Sequence, residues 1–527
     1  LYFKKKEKEK NMKTHSTLSR REFMKALGFT AAGAVAVGAA MPVVHDLDEL
    51  IASDGNSKLS MMKRPWWVKQ RPLMDPTVEI DWSVIHRFNR AYEMHNNFGK
   101  SRYTSRAVLN TQSSTQYTAD KRAGEGPGWN VKWRALANGV SDGSSNVAWS
   151  FTGRGASLSD TPADMGIKNL WKGTPEESAR LLYAAMRYYG AIWIGFQEMN
   201  QQWREKLIVY SRTGAGTGTD WDPVTHPEIP DQNLQRFTYD DTAEAPIQVA
   251  NTVGTGNRAI IPTKKQQYII SFATGMDMEL QKCPDSTRHT PNSSAVANFH
   301  NNVAARTANF VRSLTGDRVY GNNGHQSSET NFNGLAVFAG IAEHSRQNNF
   351  AITPESGASY CPTNLMTDFP VAPTNPIDAG IWKFCQTCGK CAEVCPSGSI
   401  AKKSEGKPTY ELIERTRPDG VTEDVRYKMR GIKAYCLDWS TCNEYTATHG
   451  ACSYCYGNCT FTEDKAAMIH NMVRATVANT SLFNGFFAGM SEPFGFGQYE
   501  NPDIWWKMAL PSNGWDSTIG TNKGAYR

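Results

Sequence analysis

The sequence predicts an α+β core followed by a cysteine-rich module, and three observations carry that prediction. Between about residues 160 and 350, apolar positions at helical spacing are interspersed with short β-type runs. Nine of the eleven cysteines fall between 385 and 459, eight of them in two groups with Cys436 left over. The first group, FCQTCGKCAEVCPSGS (384–399), has the spacing C-x2-C-x2-C-x3-C followed by proline, an iron–sulfur arrangement of the bacterial ferredoxin type.

Residues 1–44 read as an export leader. SRREFMK (19–25) precedes an uncharged run from Ala26 to Val44, and twin arginines before a weakly hydrophobic segment make a Tat signal. Seven alanines and three glycines within Ala26–Ala40 make that run a poor membrane span, and Val37-Gly38-Ala39 offers a cleavage site. Met12 lies seven residues before Ser19, so residues 1–11 are expected to be an over-extended start. Residues 1–40 hold nine Lys/Arg against three acids, which accounts for the whole formal charge of +6. The remainder is near neutral, which removes a charge argument for a nucleic-acid partner. A mean hydropathy of -0.52 and no later run of 18 apolar residues exclude a membrane span in the mature chain.

Residues 45–160 are loop-rich, with GEGPGWN (124–130) and NGVSDGSSN (138–146), and read as a wrapping segment. The core is assigned to 161–355. Thr174-Pro175-Glu176-Glu177 predicts a capped helix start whose apolar face runs through Leu182, Tyr183, Met186 and Tyr189, with Gly190 after it. AIWIGF (191–196), RAII (258–261) and YIISFA (268–273) predict strands, and the spacing of Val296, Phe299, Val303, Phe310 and Leu314 predicts a helix over 294–314. Gly214, Gly216 and Gly218 lack a strand-to-helix context and read as a flexible loop. The cysteine module is assigned to 356–470, with a last helix near 464–478, and residues 471–527 to an aromatic, Gly-rich tail.

In the ferredoxin-type motif the first three cysteines serve one cubane and the fourth serves the other. Cys385, Cys388, Cys391 and Cys459 are therefore assigned to one [4Fe–4S] cluster, and Cys395, Cys442, Cys452 and Cys455 to a second. Cys436 competes with Cys442, and Thr460 follows Cys459 where a proline is usual. Zinc sites usually combine two C-x2-4-C pairs, unlike this progression. Cys283 and Cys361 are expected to be buried, inert thiols. Such a module relays electrons, so the core ahead of it must hold their acceptor.

At these residues the chain resembles the respiratory reductive dehalogenases. The stretches that carry the likeness are SRREFMK, HDLDEL (45–50), WKGTPEESARLLYAAMRYYGA (171–191), TDFPVAPTNPIDAGIWKFCQTCGKCAEVCP (367–396) and VANTSLFNGFFAGM (477–490). The resemblance implies a nitroreductase-like core binding a base-off, cobalamin-type corrinoid whose cobalt receives electrons from the two clusters. It implies reduction of an organohalide, expected to be a small chlorinated aliphatic, in anaerobic respiration. It further implies a small multi-span membrane anchor, a membrane electron donor and a peripheral location on the outer face of the cytoplasmic membrane. Two other readings compete. Epoxyqueuosine reductases share core and module by resemblance, but the leader and neutral chain argue against a cytoplasmic RNA enzyme. A non-catalytic electron-transfer subunit leaves the core unexplained.

Site residues carry over through the resemblance. The family's G-L-G-E-x-x-R-type segment matches Gly340-Ile341-Ala342-Glu343-His344-Ser345-Arg346, which makes Arg346 the candidate for holding the proton donor's charge or the leaving halide. The family's tyrosine proton donor has no counterpart in SAVANFHNNV (294–303). Either Phe299 faces the pocket, or His300 substitutes; a satisfied structural histidine is the alternative for His300. Tyr320 is a further catalytic candidate, and Phe299, Asn322 and Glu343 are candidate cofactor contacts.

Overall fold

Thr174 starts the first long helix of the core as its sequence predicts. In the computed structural model its hydroxyl accepts from Glu177 N (3.3 Å), and Glu177 Oε2 accepts from Thr174 N (2.8 Å), closing a capping box around Pro175. The helix, α1, runs Pro175–Tyr188 and buries Ala179, Leu182 and Met186. The structure describes residues 64–87, 171–209, 211–212, 235–250, 257–283, 289–321, 330–413, 429–449, 452–462, 468–490 and 497–508. The leader, HDLDEL, most of the wrapping segment, the glycines at 214–218 and Asn322 lie outside these residues, and so does the side chain of Phe299.

The core is an antiparallel sheet in the order β2 (Trp193–Glu198), β7 (Tyr268–Gly275), β9 (Tyr360–Thr367), β8 (Val319–Gly321). Alternation of side chains sorts it into two faces. Ile194, Phe196, Ile270, Phe272, Leu365 and Val319 pack on α1 and on the helix α3 (His289–Thr315), through Val303, Ala304, Ala308 and Val311. Trp193, Ile269, Ala273, Tyr320, Tyr360 and Met366 face the other way, towards the short helix α4 (Phe332–Phe338). With both faces covered, β7 and β9 are buried almost throughout, which explains why YIISFA reads as a continuous apolar run.

Two boundaries differ from expectation. Tyr360–Thr367, assigned by sequence to the cysteine module, is an inner strand of the core sheet, so the module begins after it. Its alternation of small, polar and apolar residues gives a weak strand signal, and pairing with β7 and β8 determines its state. RAII extends to a strand β6 (Asn257–Ile261) of a second sheet, ordered β3 (Ser211–Arg212), β4 (Gln235–Tyr239), β6, β5 (Ile247–Ala250), in which β4 and β6 run parallel.

The described part of the N-terminal wrap, 64–87, spans core and module. Its strand β1 (Lys69–Gln70) pairs with β10 (Ile377–Asp378), just before the first cysteine helix. Arg64 donates to the carbonyls of Gly340 (2.7 Å) and Ile341 (3.1 Å), and Arg87 to those of Ile208, Val209 and Phe237. Gly380 is required where β10 turns into that helix: its φ is +72°, and a Cβ there would lie 2.5 Å from Val477 O. The helix Met468–Asn479 packs at this point, close to the span expected for the last helix. Among the described residues no helix is long and apolar enough to cross a membrane.

Candidate metal centre and the core beside it

Cys385 and Cys388 share one face of the helix α5 (Ile381–Cys388), three positions apart, while Ile381, Trp382 and Phe384 bury the rest of it. Gly389, at φ +73°, stops α5 and turns the chain so that Lys390–Glu393 presents Cys391. Cys442 lies in the helix Trp439–His449, Cys455 in the turn Tyr454–Gly457, and Cys459 directly after it.

The fold gathers these cysteines into two sets. Burial pushes the thiols of Cys385 and Cys391 up, and the charges of Cys388 and Cys459 push both further. Cys459 is pushed up to about 11, first by burial and also by Cys388. Cys442 is raised by burial and then by Cys452 and Cys395; Cys455 is raised by burial and then by Cys452, Cys442, Cys391 and Cys395. Cys385, Cys388 and Cys459 share one packed apolar cluster, and Cys391, Cys395 and Cys455 share another, so cysteines of both motifs meet in space. Cys436 points elsewhere: its Sγ lies 3.6 Å from Ile413 O, and it packs by Trp382 and Tyr435.

Among the described residues no three ligand-type side chains close around a single ion. The x2, x2, x3 progression of the first motif is the ground for a cubane over zinc. The donor set fits the same group. It is all sulfur, and buried thiols held against one another are strained towards protonation unless a cationic centre takes the charge.

A strap from the core holds both sets. Arg346 is 2 % exposed, and its three nitrogens donate to Cys385 O (3.0 Å), Ala401 O (2.9 Å) and Gln386 O (3.2 Å), with the guanidinium 3.6 Å from the Tyr435 ring centroid. Gln347 Nε2 donates to Cys455 O (2.8 Å) and Asn348 Nδ2 to Tyr435 O (2.9 Å). This corrects the expectation for Arg346. Its donors are spent on the cluster loop, so it is a positioning residue there and not the holder of a halide. Spacing alone gave no sign of the strap, although three consecutive polar residues after Ser345 are unusual in a buried segment.

Glu343 is corrected in the same way. It is buried, and its carboxylate accepts from Ala379 N (2.6 Å), Ile381 N (3.2 Å), Trp382 N (3.4 Å) and Thr77 Oγ1 (2.8 Å). It caps the start of α5 and is no cofactor contact. Burial, and then Asp378, push its carboxyl up to about 7. A folded value raised above the ordinary carboxyl value of 4.5 contributes stability at low pH that is lost as pH rises through about 7. Such a displacement is worth about 3 kcal/mol. The expected result is that Glu343→Gln, which cannot ionise, gains thermal midpoint relative to wild type between pH 5 and pH 8, on top of a constant loss from its poorer cap. Anaerobic thermal unfolding at the two pH values checks it.

His300 and Tyr320 are core residues. His300 is 1 % exposed, its Nε2 donates to Cys361 O at 2.8 Å, and its ring meets Phe272 edge-on. Its Nε2 is thus engaged by the backbone of β9. Tyr320 lies on β8 with its hydroxyl donating to Asp368 Oδ2 at 2.6 Å, and burial followed by that bond raises its pKa far up. It is no poised acid, since loss of its proton would put two negative charges together. Cys283 and Cys361 are buried as expected.

One corner of the core is underused. Thr274 and Cys361 face each other on β7 and β9, Ser359 stands next along, and His300 reaches the same spot from α3. The hydroxyls of Thr274 and Ser359 and the Oδ1 of Asn301 are buried with no partner among the described residues. Orphaned donors and acceptors at this depth cost about 1–3 kcal/mol each, so they fit a polar group that binds there. Sequence reasoning missed all three, because nothing in their spacing distinguishes them from ordinary strand and helix residues.

Residues 63–371 match the model of the family described as reductive dehalogenase subunit. A chloroethene reductive dehalogenase of Dehalococcoides mccartyi (strain VS) is 29% identical, over 96% of this chain and 99% of that protein. A trichloroethene reductive dehalogenase of the same species is 27% identical over 95% and 98%, and a tetrachloroethene reductive dehalogenase of Sulfurospirillum multivorans is 27% identical over 65% and 62%. Among solved structures, a variant of the catabolic reductive dehalogenase NpRdhA aligns with a TM-score of 0.51 at 14% identity, over 82% of this chain and 49% of that one. The chain therefore spans about half the length of that structure, and the likeness concerns the fold. With more than half of its length matched by the family model, the chain belongs to the reductive dehalogenases, a family of oxidoreductases.

Proposed function

We propose that the chain reductively removes halide from a small chlorinated aliphatic compound, with electrons arriving through two [4Fe–4S] clusters. The observation that carries this reading is the packing of cysteines from two separate motifs into two shared apolar clusters, Cys385, Cys388 and Cys459 in one and Cys391, Cys395 and Cys455 in the other. The names of the full-length relatives, which act on chloroethene and trichloroethene, support the substrate class. The overall change takes two electrons and one proton, breaks a carbon–chlorine bond, forms a carbon–hydrogen bond and releases chloride.

The eight cysteines would hold the clusters in a ferredoxin-like module. Thr274, Ser359 and Asn301 would hold the polar periphery of a corrinoid in a nitroreductase-like core. A corrinoid, when bound, supplies a reducible cobalt for cleaving the carbon–halogen bond. The chain's own part is to position and to exclude water. Arg346, Gln347 and Asn348 fix the cysteine loops relative to the core, and the packed sheet faces keep solvent from the path between them. Tat export, a peripheral place on the outer face of the cytoplasmic membrane, a multi-span anchor and a membrane electron donor complete the proposal, resting on the twin-arginine leader and on the resemblance.

The test is metal content and turnover of the anaerobically reconstituted protein. The expected result is about eight irons and about one cobalt per chain, with chloride released from chlorinated ethenes by a low-potential donor. Iron without cobalt would leave an electron-transfer subunit, and cobalt with no chloride release would remove the dehalogenase reading.

A further inference from the structure

The first cysteine motif ends in a turn that folds a hydroxyl back onto its own last sulfur. Gly398 N donates to Cys395 O (3.1 Å), closing a four-residue turn over Pro396 and Ser397, with the proline where its fixed φ is favoured. Ser397 Oγ lies 3.4 Å from Cys395 Sγ, and Ser399 Oγ lies 2.6 Å from Ser397 Oγ. Ser399 is 1 % exposed and is held by its backbone: its carbonyl accepts from Asp438 N (2.9 Å), and Ile400 bridges Leu437 beside it. Asp438 in turn caps the helix Trp439–His449, its Oδ1 accepting from Thr441 N (3.0 Å). The two serines thus link Cys395 to the start of the helix that carries Cys442, and both cysteines are assigned to the second cluster.

Which way the hydroxyl protons point follows from ligation. A cysteine bound to iron is a thiolate with no proton to give, so its sulfur can only accept. The Ser397 proton therefore points at Cys395 Sγ, which leaves the Ser397 oxygen to accept from Ser399. A hydroxyl whose oxygen accepts a hydrogen bond is itself a stronger donor. Hydrogen bonds to cluster sulfurs help to set reduction potential, because such a bond gains strength as negative charge builds on its acceptor. We propose that Ser399 and Ser397 form a two-hydroxyl relay, ending on Cys395 Sγ, that raises the reduction potential of the second cluster. The inference rests on the two-cluster reading above. One electron enters from the low-potential donor, no covalent bond breaks, and both hydroxyls keep their protons. Both serines are positioning residues that bind no substrate.

An anaerobic redox titration of the reconstituted full chain, followed by electron paramagnetic resonance with iron assayed alongside, tests it. Wild type is expected to give about eight irons per chain and two cluster signals. In Ser397→Ala iron stays at about eight. At the wild-type midpoint, the reduced-to-oxidised ratio of one signal falls by about threefold to tenfold, the effect of one net hydrogen bond. That signal is the one Cys395→Ala loses. Ser399→Ala moves the same signal in the same direction by less, and Ser397→Thr, which keeps the hydroxyl, restores the wild-type ratio. Pulsed resonance in deuterated buffer gives a second readout: a strongly coupled exchangeable deuteron on that signal disappears in Ser397→Ala and persists in Ser399→Ala. Unmoved signals, equal movement of both, movement of the signal that Cys395→Ala retains, or loss of iron from both serine variants would overturn the relay. Fewer than about eight irons in wild type would instead overturn the two-cluster reading.

Discussion

Cys459→Ala is expected to leave the reconstituted protein with about four irons per chain and no measurable dehalogenation. The expectation depends on chain crossing. Cys459 belongs by sequence to the second group, yet it packs with Cys385 and Cys388 and is assigned with them and Cys391 to the first cluster. Its loss should therefore remove the first cluster and spare the second. Cys395→Ala tests the reciprocal case: it sits in the first motif, yet its charge bears on Cys442 and Cys455, so the second cluster should go. Electron paramagnetic resonance distinguishes the two, since each variant should retain a different one of the wild-type signals. Turnover should fall by several orders of magnitude in both, because an electron relay missing one member cannot be bridged by protein alone. Cys436→Ala is the control, with about eight irons and wild-type turnover. If Cys436→Ala loses a cluster and Cys442→Ala keeps both, the second quartet has been assigned wrongly.

Much of this fold was legible because its signals are local. The capping box at Thr174, the short apolar run in 268–273 and the helical spacing after residue 294 each depend on residues within a few positions of one another, and each element formed. The cysteine spacing was legible for the same reason, and the crossing of Cys395 and Cys459 followed from the geometry of a two-cluster motif. What failed depends on distant partners. His300 sits beside an apolar face in either reading, and only the carbonyl of Cys361, 61 residues on, decides that it is structural. Tyr360–Thr367 becomes a core strand through pairing with β7 and β8, which no property of CPTNLM announces. Glu343 reads as a candidate cofactor contact only from its place in the segment 340–346 that matches the family's pattern. Its partners are backbone N–H groups 36 to 39 residues away, at the start of the helix that carries the first two cysteines.

Arg346→Ala should remove iron from the first cluster and lower stability together, where a purely catalytic arginine would lose turnover alone. The guanidinium satisfies three carbonyl oxygens at once, those of Cys385, Gln386 and Ala401. Deleting it orphans them in a site with little access to water, at about 1–3 kcal/mol each, and removes a buried cation–π contact with Tyr435 worth about 2 kcal/mol more. Local relaxation and entering water recover part of that, so the net loss is expected at about 4–5 kcal/mol, which is severe for a single site. Cys385 and Gln386 lie in the helix that presents the cluster, so the disorder would spread to the ligands before it reached the core sheet. Arg346→Lys should rescue little, because an ammonium on a flexible stem cannot reproduce a planar fork of donors aimed at three carbonyls. The measurements are iron per chain, the paramagnetic signal of the first cluster and the thermal midpoint, taken on the same preparation. An Arg346→Ala protein with full iron, a wild-type midpoint and no turnover would return the residue to the active site. One that lost cluster, stability and turnover in step would fix it as the clamp between core and module.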